Sequence, residues 1–243
     1  MRMWIFAGRN TKELLRDPLN LAFSLGFPLV LLLLLSMIQK NIPVPLFEIS
    51  HLTPGIGVFG LSFMTLFSAT LIAKDRESAL LQRLYTTPLT AMDFILGYTL
   101  PLVPMAMAQS AVCYLAAMLL GLKPTVHILS AILFTLPVSL LYIALGLLCG
   151  SVLNDKQVGG VCGGLLTNLS AWLSGVWFDL ELVGGAFRDV ADCLPFVHAV
   201  ELQRAVLLGN YGGIFPHIWY VLGYGIALLI LAVYLFLRQM RKQ

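Results

Sequence analysis

Long apolar runs constrain this chain more than any other feature of its sequence. The run from Leu29 to Leu35 contains only leucine and valine, and five further blocks of similar apolar character follow it. A helix needs about 20 apolar residues to cross the hydrocarbon core of a bilayer. We therefore predict six transmembrane helices, at residues 19–38, 54–73, 94–120, 128–150, 158–178 and 218–237.

The charge content points to the same environment. Only 11% of the 243 residues are charged, whereas a soluble domain carries about a quarter. So few charges could not cover a water-facing surface. The sequence therefore predicts an all-α integral membrane protein that forms a single transmembrane domain over residues 1–243.

Residues 1–17 combine basic side chains with scattered apolar ones. A basic start that leads into an apolar run is also typical of a signal peptide. However, the first run is too long for a signal peptide, and no small-x-small cleavage site follows it. We predict an amphipathic interfacial helix, with its arginines on lipid phosphates and Trp4, Ile5, Leu14 and Leu15 in the interface.

Basic residues are unevenly divided between the two sets of predicted loops. Eleven of the 15 lie at one set of span ends, namely Arg2, Arg9, Lys12, Arg16, Lys74, Arg76, Arg83, Lys156, Arg238, Arg241 and Lys242. Cytoplasmic loops carry such an excess. We therefore predict a multi-pass protein of the cell membrane with both termini cytoplasmic, which agrees with an even number of spans.

The predicted spans lack the groups that energise transport. Their apolar centres contain no Asp, Glu, Lys or Arg, which ion-driven carriers usually keep near the midplane. A Gly-x-x-x-x-Gly-Lys-Ser/Thr loop and the common hydrolase motifs are absent as well. We predict no catalytic, cofactor-binding or metal-binding residue, so a separate chain would supply energy. A stand-alone channel or secondary carrier stays open, and an intramembrane enzyme is the weakest alternative.

The polar segment 75–93 contains a short amphipathic pattern. Leu80, Leu81, Leu84 and Tyr85 recur at helical spacing, and Pro88 would end that helix. Thr90 and Asp93 have the spacing of a capping box that starts the next helix. A helix at this place can lie flat on the headgroups or insert into a groove of a partner protein.

Segment 75–93 carries three motifs in sequence: Asp75-Arg76-Glu77, Leu81-Gln82-Arg83-Leu84 and Thr87-Pro88-Leu89. Their order resembles the coupling helix of the ABC type-2 permeases, a family of bacterial drug, polysaccharide and lipid exporters. The segment departs from the family at Ser78-Ala79, where a glycine is usual. A second segment, 194–209, resembles the family's Leu-Pro-Phe-x-His signature and the Arg and Gly that follow it.

The resemblance implies a transport subunit rather than an enzyme. It implies a dimer with a second permease copy or with a homologous permease, and two ATPase subunits that bind ATP and magnesium. It also implies contact with membrane lipids and none with nucleic acid. It also implies a bacterial inner or single membrane and export of a drug-like substrate, as in multidrug resistance, or of a lipid-like or peptide one. The ATPase-coupling residues would be Asp75, Arg76, Glu77, Leu80, Leu81, Arg83, Leu84 and Tyr85.

The sequence of the outer segment 179–216 predicts two short helices before the last span. We predict that they form a re-entrant hairpin, with a solvated loop as the alternative. Its candidate gate residues are Pro195, Phe196, His198, Glu201 and Arg204. The last three recur at a spacing of three, so they can interact along one helix face, and we expect an ion pair between Glu201 and Arg204.

The fifth predicted span begins with a glycine-rich pattern. Gly159 with Gly163, and Gly160 with Gly164, form two overlapping Gly-x-x-x-Gly pairs. Small residues let helices approach closely in lipid, so these glycines pack within the chain, at a subunit interface or beside a pathway. Several predicted spans also contain polar residues, among them Asn168, Ser62 and Thr65. These residues either face a translocation pathway or form hydrogen bonds inside the helix bundle.

Overall fold

The computed structural model describes residues 2–41, 45–78 and 90–240, and the regular structure in these ranges is helical throughout. The first half contains α1 (Arg2–Leu15), α2 (Pro18–Leu21), a π-helical turn (Ala22–Gly26), α3 (Phe27–Asn41), a 3-10 turn (Pro45–Phe47), α4 (Ile49–Glu77) and α5 (Ala91–Leu119). The second half contains α6 (Val126–Val152), α7 (Asp155–Val158), a π-helical stretch (Gly159–Leu166), α8 (Thr167–Trp172), α9 (Leu180–Val183), α10 (Gly185–Cys193), α11 (Pro195–Leu207), a 3-10 turn (Tyr211–Gly213) and α12 (Ile214–Met240).

Five helical segments of the described residues are long and apolar enough to cross a membrane. They are Ala22–Asn41, Ile49–Glu77, Met92–Leu119, Val126–Val152 and Tyr211–Arg238. Each overlaps one of the predicted spans. The remaining predicted span, 158–178, is helical from Asp155 only to Trp172. Its polar first turn and its glycines leave it less apolar than the other five.

Helix α4 is the centre of the bundle. Ile56, Met64 and Phe67 are at most 1% exposed, and α4 contacts α3, α5, α6 and α11. A helix that is apolar on all sides buries its whole circumference. Helices α3, α5, α6 and α11 therefore pack around α4.

Close contact between α4 and α6 depends on two glycines of α6. A Cβ on Gly146 would lie 2.4 Å from the Thr65 carbonyl oxygen, and one on Gly150 would lie 2.6 Å from that of Ala69. The Thr65 hydroxyl donates to the Tyr142 carbonyl at 2.9 Å. Gly146 and Gly150 form a Gly-x-x-x-Gly pair, the pattern that lets backbones meet in lipid.

The segment 155–178 runs along α4 in the opposite direction. At its start the Asp155 N–H donates to Glu77 Oε1 at 3.0 Å, in the last turn of α4. Near its end the Trp177 ring lies 5.6 Å from that of Phe59, in the first half of α4. The segment therefore follows most of the length of α4, although its helix is interrupted by the π-helical stretch.

Several helix ends meet at one end of the bundle. The Phe94 ring, at the start of α5, lies 5.6 Å from Phe6 of α1 and 5.7 Å from Phe236 of α12. The last turn of α4 and the start of α7 lie there too. We call this end the basic end, because it contains α1 and most of the basic residues that the structure describes. Leu14, expected in the membrane interface, is instead 4% exposed and packs in the core.

Candidate functional sites at the two ends of the bundle

Asp75, in the last turn of α4, is a buried carboxylate. It is 1% exposed, and its Oδ2 accepts hydrogen bonds from Arg9 Nη1 at 2.6 Å and from the Tyr98 hydroxyl at 2.9 Å. Buried charges are stable only when they are paired and hydrogen-bonded. Asp75 therefore holds α1 and α5 against the end of α4.

Arg9 stays charged in this arrangement. Burial works against its protonation, but the hydrogen bond to Asp75 and the charge of that carboxylate raise the pKa of Arg9 above its ordinary value. Glu13, one turn further along α1, pairs with Arg9 at 2.7 Å. Next to Arg9, the Asn10 side chain donates to the Gly97 carbonyl at 3.0 Å. Arg9 and Asn10 thus hold α1 to α4 and α5 respectively.

Arg76 and Glu77 contact two further helices. Arg76 Nη1 donates to the Gly150 carbonyl at 3.0 Å and to that of Ser151. Those carbonyls lie at the end of α6, where the last four have no partner within the helix and a cation is favoured. Glu77 accepts the Asp155 N–H at 3.0 Å, at the start of α7, where an anion is favoured.

Three consecutive residues thus link α4 to α1, α5, α6 and α7. We call Asp75, Arg76 and Glu77 the α4 junction. The other predicted coupling residues, Leu80, Leu81, Arg83, Leu84 and Tyr85, lie outside the described residues. The predicted capping box is confirmed: the Thr90 hydroxyl accepts from the Asp93 N–H at 3.2 Å, and Asp93 Oδ2 accepts from the Thr90 N–H at 2.9 Å.

At the opposite end, helices α10 and α11 fold back into the bundle. The Tyr224 hydroxyl donates to the Cys193 carbonyl at 2.6 Å, and Tyr224 lies about 15 Å along α12 from its first residue. The Phe196 ring lies 6.2 Å from that of Tyr142, near the middle of α6. The chain reversal between α10 and α11 therefore contacts α12 and α6 away from their ends.

Arg204 anchors α11 to two other segments. It is 6% exposed and donates to the carbonyls of His51 at 3.3 Å and Gly175 at 3.2 Å. The expected ion pair is present, with Arg204 Nη1 2.7 Å from Glu201 Oε1. Because His51 lies in the first turn of α4, the hydrogen bond from Arg204 to its carbonyl holds α11 to the end of α4 that lies farthest from the α4 junction.

His198 does not join that ion pair. Its Nδ1 lies 2.9 Å from His217 Nδ1, and its Nε2 lies 2.9 Å from the Asp192 carbonyl oxygen. Its ring stacks on Tyr220 with centroids 3.8 Å apart. His198 therefore holds α11 to α12, which the spacing within α11 could not reveal. Pro195 and Phe196, the other two candidate gate residues, are buried at the start of α11.

The glycine-rich stretch faces mostly open space. A Cβ on Gly163 would lie 3.4 Å from Leu66, whereas Cβ atoms on Gly159, Gly160 and Gly164 would meet no described atom within 4 Å. Asn168 is exposed on the same segment, and its amide donates to the Gly164 carbonyl at 2.8 Å.

The polar residues of α4 lie inside the bundle. Ser62 is 2% exposed, and its hydroxyl donates to the Phe59 carbonyl at 2.6 Å. Thr65 is 1% exposed and bonds to α6. Thr65 therefore holds α4 to α6, and Ser62 is satisfied within α4 itself. Asn168 keeps its amide on the open side of segment 155–178.

Comparison with known proteins identifies the family. No curated protein matches the chain. The family model described as ABC-2 type transporter matches residues 1–208, a range that includes the α4 junction, the segment 79–89 and helices α10 and α11. The chain therefore belongs to the ABC-2 type transporter family, as a multi-pass transmembrane permease of an ABC transporter.

Proposed function

We propose that this permease is the membrane subunit of an ATP-driven exporter and acts as a dimer. Separate ATPase subunits would bind ATP and magnesium and contact the segment 75–93 on the cytoplasmic side. The cargo would be drug-like, lipid-like or peptide in character, since the spans are mostly apolar. The proposal rests above all on the α4 junction.

Six spans with both termini cytoplasmic fit the contacts best. Segment 155–178 follows α4 from Glu77 to the level of Phe59, so it joins the two ends of the bundle as the five long helices do. α1 and Phe236 of α12 both lie at the basic end. An excess of Lys and Arg marks cytoplasmic loops, and this supports the basic end as the cytoplasmic one.

The α4 junction is placed to distribute motion of the coupling segment. Only Ser78 separates Glu77 from residues 79–89. A displacement of that segment by the ATPase would act first on Asp75, Arg76 and Glu77, and their hydrogen bonds would pass it to α1, α5, α6 and α7. Rigid helices linked by such bonds transmit displacement to distant sites.

Helix α4 would connect this movement to the outer gate. It continues without interruption from Ile49 to Glu77, and its first turn carries the His51 carbonyl that accepts from Arg204. Tilting α4 would therefore move α11 and the re-entrant hairpin. Irregular backbone at membrane depth persists only where it is buried or lines water, which suits a gate between two permease copies.

The open side of segment 155–178 suits the translocation path or the second copy. Gly160, Gly164 and Asn168 recur every four residues on one face, and that face is free of described neighbours at both glycines. An exposed amide is costly in hydrocarbon. Contact with water in the path, or with the second permease copy, would satisfy it.

The test separates binding of the ATPase from coupling to it. The permease is co-purified with its ATPase subunits and reconstituted. Arg83→Ala with Leu84→Ala should reduce complex formation. Glu77→Ala and Arg76→Gln should leave the complex intact and lower substrate-stimulated ATPase activity and transport. Arg238→Gln, an exposed cation of the same end, is the control. Unchanged stimulation in all junction variants would refute the coupling role.

A further inference from the structure

The outer face of α1 forms an open groove. Its volume is about 930 Å³, and its lining includes Trp4, Ile5, Gly8, Lys12 and Arg16. Gly8 lies in the floor of the groove. A Cβ at Gly8 would meet no described atom within 4 Å, so the space above it is open. The groove lies opposite the face that packs on α5 through Phe6 and Asn10.

One half of the groove is basic. Lys12 and Arg16 are exposed and lie one turn apart on the same face. Within the part of the chain that the structure describes, neither forms an ion pair. The acidic groups of the rim are already engaged: Glu13 pairs with Arg9 at 2.7 Å, and Asp17 has an interaction of its own. The lining therefore carries a net positive charge, with Arg9, Lys12 and Arg16 against Glu13 and Asp17.

The other half is apolar. Trp4 is 64% exposed and Ile5 is 71% exposed. Such side chains are favoured at the boundary between headgroups and acyl chains. From Ile5 to Lys12 the helix rises about 10 Å, so a ligand would need an anionic head and an apolar part next to it. A phospholipid has that arrangement.

The position of α1 matches the level of the headgroups. Arg9 bonds to Asp75 in the last turn of α4, and Phe6 packs on Phe94 in the first turn of α5. Both contacts are at the ends of membrane-spanning helices. Anionic lipids attract clusters of Lys and Arg at this level.

We propose that the α1 groove is a binding site for an anionic phospholipid. Lys12 and Arg16 hold the phosphate and headgroup, and Trp4 and Ile5 contact the first part of an acyl chain. This site does not depend on the coupling role of the α4 junction, so it can be tested separately from that role.

The test uses Trp4 as a reporter in the full permease in complex with its ATPase subunits. Trp172, Trp177 and Trp219 are replaced by phenylalanine. The complex is placed in phosphatidylcholine nanodiscs in which about one lipid in ten is brominated on its acyl chains, as phosphatidylglycerol or as phosphatidylcholine. Quenching of Trp4 should be at least about twofold stronger with brominated phosphatidylglycerol, because the basic groove concentrates it.

Two variants test the two halves of the site. Lys12→Gln with Arg16→Gln should abolish the preference for phosphatidylglycerol. Gly8→Leu should fill the groove and weaken quenching by that lipid while both cations remain, and it meets no described atom that would oppose folding. Arg188→Gln, 45% exposed at the opposite end, should leave the preference unchanged.

Three outcomes would overturn the proposal. Equal quenching by the two brominated lipids would mean that the groove does not select charge. Relief of quenching by dissolved glycerol phosphate would indicate a soluble phosphate ligand. Selective quenching in the permease alone but not in its complex would mean that the ATPase covers the groove.

Discussion

Removing the positive partner of Asp75 should destabilise the protein more than neutralising Asp75 itself. Asp75 is 1% exposed and Arg9 is 38% exposed. In Arg9→Met a buried carboxylate keeps only the Tyr98 hydroxyl as a described hydrogen-bond donor. In Asp75→Asn the amide oxygen can still accept from Arg9 and Tyr98, and Arg9 keeps Glu13 as its ion-pair partner.

The expected magnitudes follow from this asymmetry. Leaving one charge of a buried pair uncompensated costs about 3–5 kcal/mol, and we take about 3 kcal/mol for Arg9→Met because Arg9 is partly solvated. Asp75→Asn weakens two hydrogen bonds without creating a lone charge and should cost about 1 kcal/mol. The double variant should cost about 2 kcal/mol, less than the two single effects together, because it contains no unpaired charge.

Thermal unfolding of the purified protein measures these differences. A change of 1 kcal/mol shifts the Tm of a chain of this size by about 2–4 °C, so Arg9→Met should lower the Tm by about 6–12 °C and Asp75→Asn by about 2–4 °C. Hydrogen exchange of α1 would show whether the loss is local release of that helix. The reasoning fails if Asp75→Asn is the more damaging change, or if the two effects add.

Further predictions concern helix packing, the hairpin and a helix start. Gly146→Leu should abolish a monodisperse peak in size-exclusion chromatography, because its Cβ would lie 2.4 Å from a backbone oxygen of α4. Gly164→Leu should be tolerated, because its Cβ would meet no described atom within 4 Å. Equal behaviour of the two variants would contradict the contact between α4 and α6. Arg204→Met should cost about 2–3 kcal/mol and Arg188→Met below about 1 kcal/mol, because Arg204 is 6% exposed; equal shifts in Tm would refute this. Thr90→Val should cost about 1 kcal/mol through loss of its cap, and Thr90→Ser should not.

Local patterns predicted their own structures well. The capping box at Thr90 is confirmed. The pair Glu201–Arg204 lies within one helix and is confirmed too. Such features depend on residues three or four apart, so the sequence contains all the information that they need.

Contacts between distant segments were not predictable in this way. His198 was grouped with Glu201 by spacing but bonds to His217 of another helix. The glycines that allow close approach are Gly146 and Gly150, while Gly159, Gly160 and Gly164 face open space. Both sets contain the same Gly-x-x-x-Gly pattern. Spacing shows that a helix has a smooth face but not which neighbour meets that face.

The amino-acid sequence by itself determined that this chain is an integral membrane protein. Its apolar runs match the thickness of a bilayer, and its charged residues are too few to cover a water-exposed surface. The sequence also located the five long apolar helices, although not their exact ends. Only the tertiary structure decided that Asp75, Arg76 and Glu77 bond to four other helices, and that α4 joins them to Arg204. Those partners lie up to 153 residues apart in the chain, and packing alone brings them together.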